Sequence, residues 1–275
     1  MHVEDERLAA RSARDYIAFD VRFMTLPRRI DYILLTRRYR NKSSTMALPE
    51  ETMPQIALVT HAGEYVGPPA IAALSNAGFE VIALPPAQSG PSGMAAAVER
   101  TLGQHGRIDV CVMNSAYPAE RMPAGEIDEA KMRAAFEALV FGPMMLARAV
   151  APHMKARRSG KLIFCTSAAP LRGLSNYSVY VSARGAMNAA VKSLALELGP
   201  HNIQVNAIAP NFMESETYFP KALMADPVAS KKILGNIPLG RLGRPEEAGA
   251  LIAYLAGTQS DFVTGQVIAL SGGWA

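Results

Sequence analysis

From Gln55 onward the chain repeats one unit: a short run of apolar residues, a turn, then a stretch with helical spacing. Residues 56–60, 79–84, 108–113, 162–166, 203–209 and 266–270 read as strands. Helices are expected over 92–104, 128–156, 178–198 and 245–256. A further helix should start near Pro68, because a missing N–H costs nothing in the first turn. Strands apolar on both faces, alternating with helices, imply a parallel sheet covered on both sides. Right-handed crossovers then give an α/β fold, a single Rossmann-like doubly wound sheet over residues 54–275. Ligands of such folds sit beyond the carboxyl ends of the strands, and Thr60, Asn114, Ser167 and Pro210 fall at such ends.

One strand–helix unit carries chemistry. Ser167 closes the fourth strand, Tyr180 follows thirteen residues later, and Arg184 lies four beyond it. Positions four apart share a helix face, so phenol and guanidinium can enter one pocket. A fixed cation favours the phenolate, and a serine hydroxyl at the neighbouring strand end can hold a substrate oxygen against it. A base, its tuner and a positioner together point to proton abstraction from an alcohol. Taken alone, such a triplet is more often structural. Its place at the ligand end of the sheet is what marks it as a site.

Composition excludes other classes. Hydrophobic residues make up 49% and charged residues 19%, as in an ordinary soluble globular protein. No run of about 18 apolar residues suggests a membrane span. Cys111 and Cys165 lie inside apolar runs and read as buried thiols of a reducing cytosol, so a cytoplasmic location is expected. The five histidines have no metal-ligand spacing, and no metal is expected. The net charge of +4 resides in the first 45 residues, where ten Arg and Lys face six Asp and Glu. The remainder is near neutral and has no basic stripe with interleaved aromatics, so nucleic acid is not an expected partner. Residues 1–53 show no strand alternation and no sustained apolar face, and Glu4, Asp5 and Glu6 argue against a transit peptide. That segment is either a disordered or loosely helical extension or the result of a misassigned start, with Met46 and Met53 close to the first strand.

Over roughly residues 55–275 the chain resembles the short-chain dehydrogenase/reductase superfamily. The resemblance rests on Ser167, on Tyr180 with its basic partner four residues on, and on three segments: NIQVNAIAP (202–210), PLGRLGRPEEAGALIAYLA (238–256) and TGQVIALSGGWA (264–275). Departures are as informative. Where typical members carry Thr-Gly-x-x-x-Gly-x-Gly after the first strand, this chain reads Thr60-His61-Ala62-Gly63-Glu64-Tyr65-Val66-Gly67. The second strand ends Leu84-Pro85-Pro86, with no acid for an adenosine ribose and no arginine for a 2′-phosphate. The superfamily's lysine is Arg184, its helix asparagine corresponds to Leu139, and its Pro-Gly after the fifth strand is Pro210-Asn211. Each change removes nucleotide-binding equipment and keeps the acid–base pair.

This combination is similar to the halohydrin dehalogenase branch, which uses Ser-x12-Tyr-x3-Arg and needs no cofactor. The resemblance implies a carbon–halogen lyase that converts vicinal haloalcohols to epoxides plus halide, and in reverse opens epoxides with small anions. It makes Ser167, Tyr180 and Arg184 catalytic and places a halide seat at Tyr65, Pro210, Asn211, Phe212 and Met213. Backbone N–H groups around Phe212 and Met213 would form a nest there, walled by the aromatic edge of Tyr65; otherwise this is simply the superfamily's substrate loop. Pro118, Tyr218 and Phe219 belong to the substrate wall or to loop packing, and His61 lines the site. Trp274 either plugs a neighbouring subunit's pocket or caps its own core. The superfamily also implies a homotetramer; the dehalogenase branch implies small-molecule haloalcohols, epoxides and small anions as partners, and composition gives no reason to expect nucleic acid or membrane. Two rivals stay open. One is an NAD(P)-dependent short-chain or enoyl reductase with a degenerate glycine loop, since Tyr177-x6-Arg184 imitates the enoyl-reductase spacing. The other is a non-catalytic scaffold.

Overall fold

The six apolar runs are strands: β1 (Ile56–Val59), β2 (Glu80–Ala83), β3 (Val110–Asn114), β4 (Gly160–Cys165), β5 (Ile203–Pro210) and β6 (Val267–Leu270). They form one parallel sheet in the order β2-β1-β3-β4-β5-β6. A computed structural model of the chain describes residues 54–88 and 91–275, so the expectations for residues 1–53 lie outside the described residues. The helices are α1 (Gly67–Asn76), α2 (Pro91–His105), α3 (Glu129–Phe136), α4 (Gly142–Arg157), α5 (Ala169–Arg172), α6 (Ser178–Leu198), α7 (Lys221–Ala225), α8 (Pro227–Leu234) and α9 (Pro245–Ala256).

Alternate residues of each strand feed opposite cores. Leu58, Cys111, Leu162, Phe164 and Val205 pack with Met94, Val150, Met154, Met187 and Val191 of α2, α4 and α6. Ala57, Val59, Val112, Ile163 and Ile208 pack with Ala70, Leu74, Ala248, Ile252 and Leu255 of α1 and α9. Strands β1, β3, β4 and β5 are buried throughout, which is why their sequences are apolar without alternation. Burying each large aliphatic side chain contributes about 1.5–3 kcal/mol.

The chain leaves β1 for β2 on one side and returns to β3 on the other. At such a reversal, beyond the carboxyl ends of β1 and β3, sheets of this kind bind ligands. Asn114 stitches its edge: Nδ2 donates to the carbonyl oxygens of His61 (3.0 Å) and Glu64 (2.8 Å). Helix α1 is held from behind, because α9 crosses it at backbone contact. A Cβ on Gly249 would collide with the Pro69 carbonyl oxygen.

Two features depart from the sequence-based expectation. The helix expected over 128–156 is interrupted by a π segment, Glu137–Phe141, between α3 and α4. Pro143 lacks the N–H that would reach the Leu139 carbonyl, and the ladder widens there. The short helices α5, α7 and α8 were not anticipated either. Among the described residues, Glu129–Arg157 is the one stretch long and apolar enough by length and composition to cross a membrane. Leu139, Leu146, Val150 and Met154 on it are fully buried in this fold.

Candidate active site

Tyr180 sits in the first turn of α6 and Arg184 one turn further on. Arg184 Nε donates to the Tyr180 hydroxyl oxygen (3.3 Å), and the guanidinium carbon lies 5.4 Å from the Tyr180 ring centre. The guanidinium also grips the ends of two strands. Nη1 donates to the Cys165 carbonyl (2.9 Å) and the Ser115 Oγ (3.2 Å), while Nη2 donates to the Ser115 carbonyl (3.0 Å). Arg184 is buried. Burial opposes its charge, but the Tyr180 and Tyr65 phenols outweigh that and hold its pKa above the ordinary value.

Ser167 lies two residues beyond β4, buried at the entrance to α5. Its Oγ accepts from the Ala169 N–H (3.1 Å), which fixes the hydroxyl and leaves its proton available to another acceptor. From α6, Asn188 Nδ2 donates to the Ser167 carbonyl (3.4 Å). Strand end and helix are therefore tied together at the site.

Tyr65 reaches the same place from the loop between β1 and α1. Burial pushes its phenol well up, Tyr180 adds to the rise and Arg184 opposes it. Tyr218 enters from the loop after β5; its pKa is raised chiefly by burial, and its hydroxyl accepts from the Ala119 N–H (3.3 Å). That contact joins the 218 loop to the segment that holds Pro118, which is itself exposed. Burial raises the Cys165 thiol to about 12, with Arg184 acting against it, and raises that of Cys111; both cysteines are free.

The segment expected to form the nest is differently arranged. The Phe212 N–H is taken by the Asn211 side-chain oxygen (2.9 Å), so it is not a free donor. Met213 turns its side chain into the core below α1 and α9 and pairs through its backbone with Gly243. Phe212 instead presents a ring, tilted against Phe219 at 5.8 Å and edge-on at 5.6 Å to Trp274. Trp274 caps its own chain: Arg172 covers its ring at 4.9 Å and donates to its carbonyl (3.2 Å). Two cavities adjoin this aromatic row. One, of about 650 Å³, is lined by Glu214, Phe219, Lys221, Arg241 and Arg244 among others. The other, of about 110 Å³, is lined by residues that include Asn211, Phe212, Met213 and Arg241. Neither is lined by Ser167, Tyr180 or Arg184.

Residues 71–275 match the family described as Enoyl-(Acyl carrier protein) reductase. L-xylulose reductase of Bos taurus is 32% identical over 235 residues, which cover 79% of this chain and 95% of that protein. The chain belongs to the short-chain dehydrogenase/reductase superfamily. Two solved structures are similar to this member of the superfamily. One, described as a dehalogenation enzyme, is 40% identical with a TM-score of 0.75, covering 81% of this chain and 98% of that one. A halohydrin dehalogenase bound to ethyl (2S)-oxiran-2-ylacetate is 33% identical with a TM-score of 0.73, covering 80% and 96%.

Within this short-chain dehydrogenase/reductase fold the first loop keeps a glycine-like backbone but not glycines. His61 (φ 45°) and Tyr65 (φ 53°) are both left-handed, a conformation glycine adopts without cost. Only Gly67 remains at the end of the motif, and there a Cβ would lie 2.6 Å from the carbonyl oxygens of His61 and Ala62. Leu139 is fully buried in the π segment, so no polar group enters the site from that position. Sequence reasoning missed Ser115, which binds Arg184 twice, and Arg172 and Asn188. Ser115 immediately follows the strand-end Asn114, and that adjacency was the available signal.

Proposed function

We propose that this protein is a cofactor-independent halohydrin dehalogenase, converting vicinal haloalcohols to epoxides with release of halide and opening epoxides with small anions in reverse. One observation carries the reading. The Tyr180–Arg184 pair is kept hydrogen-bonded at the ligand end of the sheet while a whole tyrosine, Tyr65, occupies a left-handed glycine position of the nucleotide loop. Similarity to the two dehalogenase structures supports the same conclusion.

In this reaction the substrate hydroxyl gives its proton to the Tyr180 oxygen as the substrate oxygen attacks the adjacent carbon. The new C–O bond forms as the C–halogen bond breaks, and halide leaves with the bonding pair. Arg184 stabilises the negative charge on the Tyr180 oxygen before transfer, and an arginine does not lose its own proton in doing so. Ser167, fixed by the Ala169 N–H, donates to the substrate oxygen and aligns it for backside attack. Tyr65 and the 210–213 loop receive the halide. With the Phe212 N–H already bonded, the aromatic walls and the Met213 N–H are what that loop offers.

A nicotinamide-dependent reductase is the second reading, favoured by the family match and by the L-xylulose reductase similarity. The residues present do not fit a dinucleotide. His61 and Tyr65 put side chains where its pyrophosphate would approach backbone, and β2 is followed by Leu84-Pro85 without a ribose acceptor. The deciding experiment is halide release from 1,3-dichloro-2-propanol without added nucleotide, with Tyr180→Phe run in parallel. Halide and epoxide from wild type and none from the variant are expected. No release, together with NAD(P)H retention in equilibrium dialysis, sinks the dehalogenase reading.

A further inference from the structure

The buried guanidinium of Arg184 is held by four hydrogen bonds, to the Tyr180 oxygen, the Ser115 hydroxyl and carbonyl, and the Cys165 carbonyl. Among the described residues no carboxylate pairs with it. Two of the four bonds end on Ser115, one on Oγ through Nη1 and one on the carbonyl through Nη2, so a single residue grips both terminal nitrogens. The Cys165 carbonyl belongs to β4 and is fixed by the sheet. The Ser115 hydroxyl is the one acceptor in the clamp, other than the Tyr180 oxygen itself, that belongs to a side chain.

We propose that Ser115 is a positioning residue for catalysis: it sets the Arg184 guanidinium against the Tyr180 oxygen with neutral acceptors and leaves the positive charge undiminished. A carboxylate in its place would orient the fork equally well but would offset the field that the phenolate needs. Ser115 does this from the first position beyond β3, where it is buried. The inference rests on Tyr180 and Arg184 being the acid–base pair. Other titratable groups facing Arg184 are Tyr65 from the β1–α1 loop, Cys165 from β4 and Tyr218 from the loop after β5. Burial keeps all three protonated in the working range.

The test compares Ser115→Ala, the near-isosteric Ser115→Cys with its weak acceptor, and Ser115→Thr, which keeps the hydroxyl. With Ala and Cys, kcat for halide release should fall about tenfold or more, as expected for losing a hydrogen bond to a charged group. KM should stay within about twofold, since only the charged state during proton transfer is affected. The pH at which kcat reaches half its plateau should move upward, and Thr should restore both. Independently of turnover, the near-ultraviolet phenolate absorbance that Tyr180→Phe removes should rise at higher pH in Ser115→Ala than in wild type. Identical absorbance titrations overturn the proposal, as do equal losses in Thr and Ala with an unmoved pH profile. A wild type that releases no halide would sink the dehalogenase reading alone, because the absorbance comparison still decides for or against Ser115.

Discussion

Tyr65 and Phe212 share a backbone conformation that side chains rarely adopt: each has φ = 53°. One lies on the loop after β1 and the other on the loop after β5, both at the ligand end of the sheet. Such a conformation costs about 1–2 kcal/mol for a residue with a Cβ, and strain of this kind gathers at functional sites. Surroundings hold both in place. Tyr65 packs against the core below α1, and Phe212 is locked by Asn211, Phe219 and Trp274.

Replacing Tyr65 separates strain from packing. Tyr65→Ala loses the ring and keeps the left-handed penalty, whereas Tyr65→Gly loses the ring and the penalty together. Urea unfolding should place the glycine variant above the alanine variant by about 1 kcal/mol. The opposite order would show that the backbone of this loop relaxes once the ring is gone.

Lysine is not an adequate substitute at position 184. A point ammonium cannot span Ser115, the Cys165 carbonyl and the Tyr180 oxygen as the guanidinium does. Steady-state halide release by Arg184→Lys should show kcat lowered by roughly tenfold or more, the scale of losing a charged hydrogen bond. Equal kcat would mean that charge alone suffices.

Gly67 matters for closeness rather than for φ. A Cβ there would meet the carbonyl oxygens of His61 and Ala62 at 2.6 Å, and neither can move without shifting the loop that carries Tyr65. Gly67→Ala should lower the unfolding free energy by about 1–3 kcal/mol, and inhibition by added halide should weaken in parallel. Lost stability with unaltered halide inhibition would uncouple the loop from the site.

Acid should loosen the base of α9. Arg241 donates to both oxygens of Glu247 (2.6 and 2.9 Å), and the Arg244 N–H donates to one of them (2.7 Å). Arg241 foremost, then that N–H, lowers the Glu247 carboxyl to about 2 from an ordinary 4.5. A carboxylate depressed on folding stabilises fully above its unfolded value and ceases to do so as pH falls through its folded one. The stability gap between wild type and Glu247→Gln should therefore be constant above about pH 5 and shrink between about 4.5 and 2. A gap independent of pH over that range would rule out this linkage.

The strands were legible because burial on both faces makes them apolar without interruption, and the order of elements then leaves little freedom. Ser167, Tyr180 and Arg184 were legible through spacing along one strand end and one helix face. What remained hidden depends on contacts distant in sequence. Ser115 meets Arg184 across 69 positions. The π segment arises from a proline acting on a carbonyl four residues back, a local effect that apolar periodicity does not register. Within the 210–213 loop, backbone donors were expected to face a ligand, but an asparagine side chain one residue away satisfies the first of them. Composition cannot separate those two outcomes.

Trp274 is the only tryptophan of the chain. Its indole touches Phe212 edge-on and lies under Arg172, so its emission comes from one defined place. The protein thus carries an intrinsic optical reporter of the 210–213 loop, and quenching by iodide or a colour shift on ligand addition can be read without attaching a label.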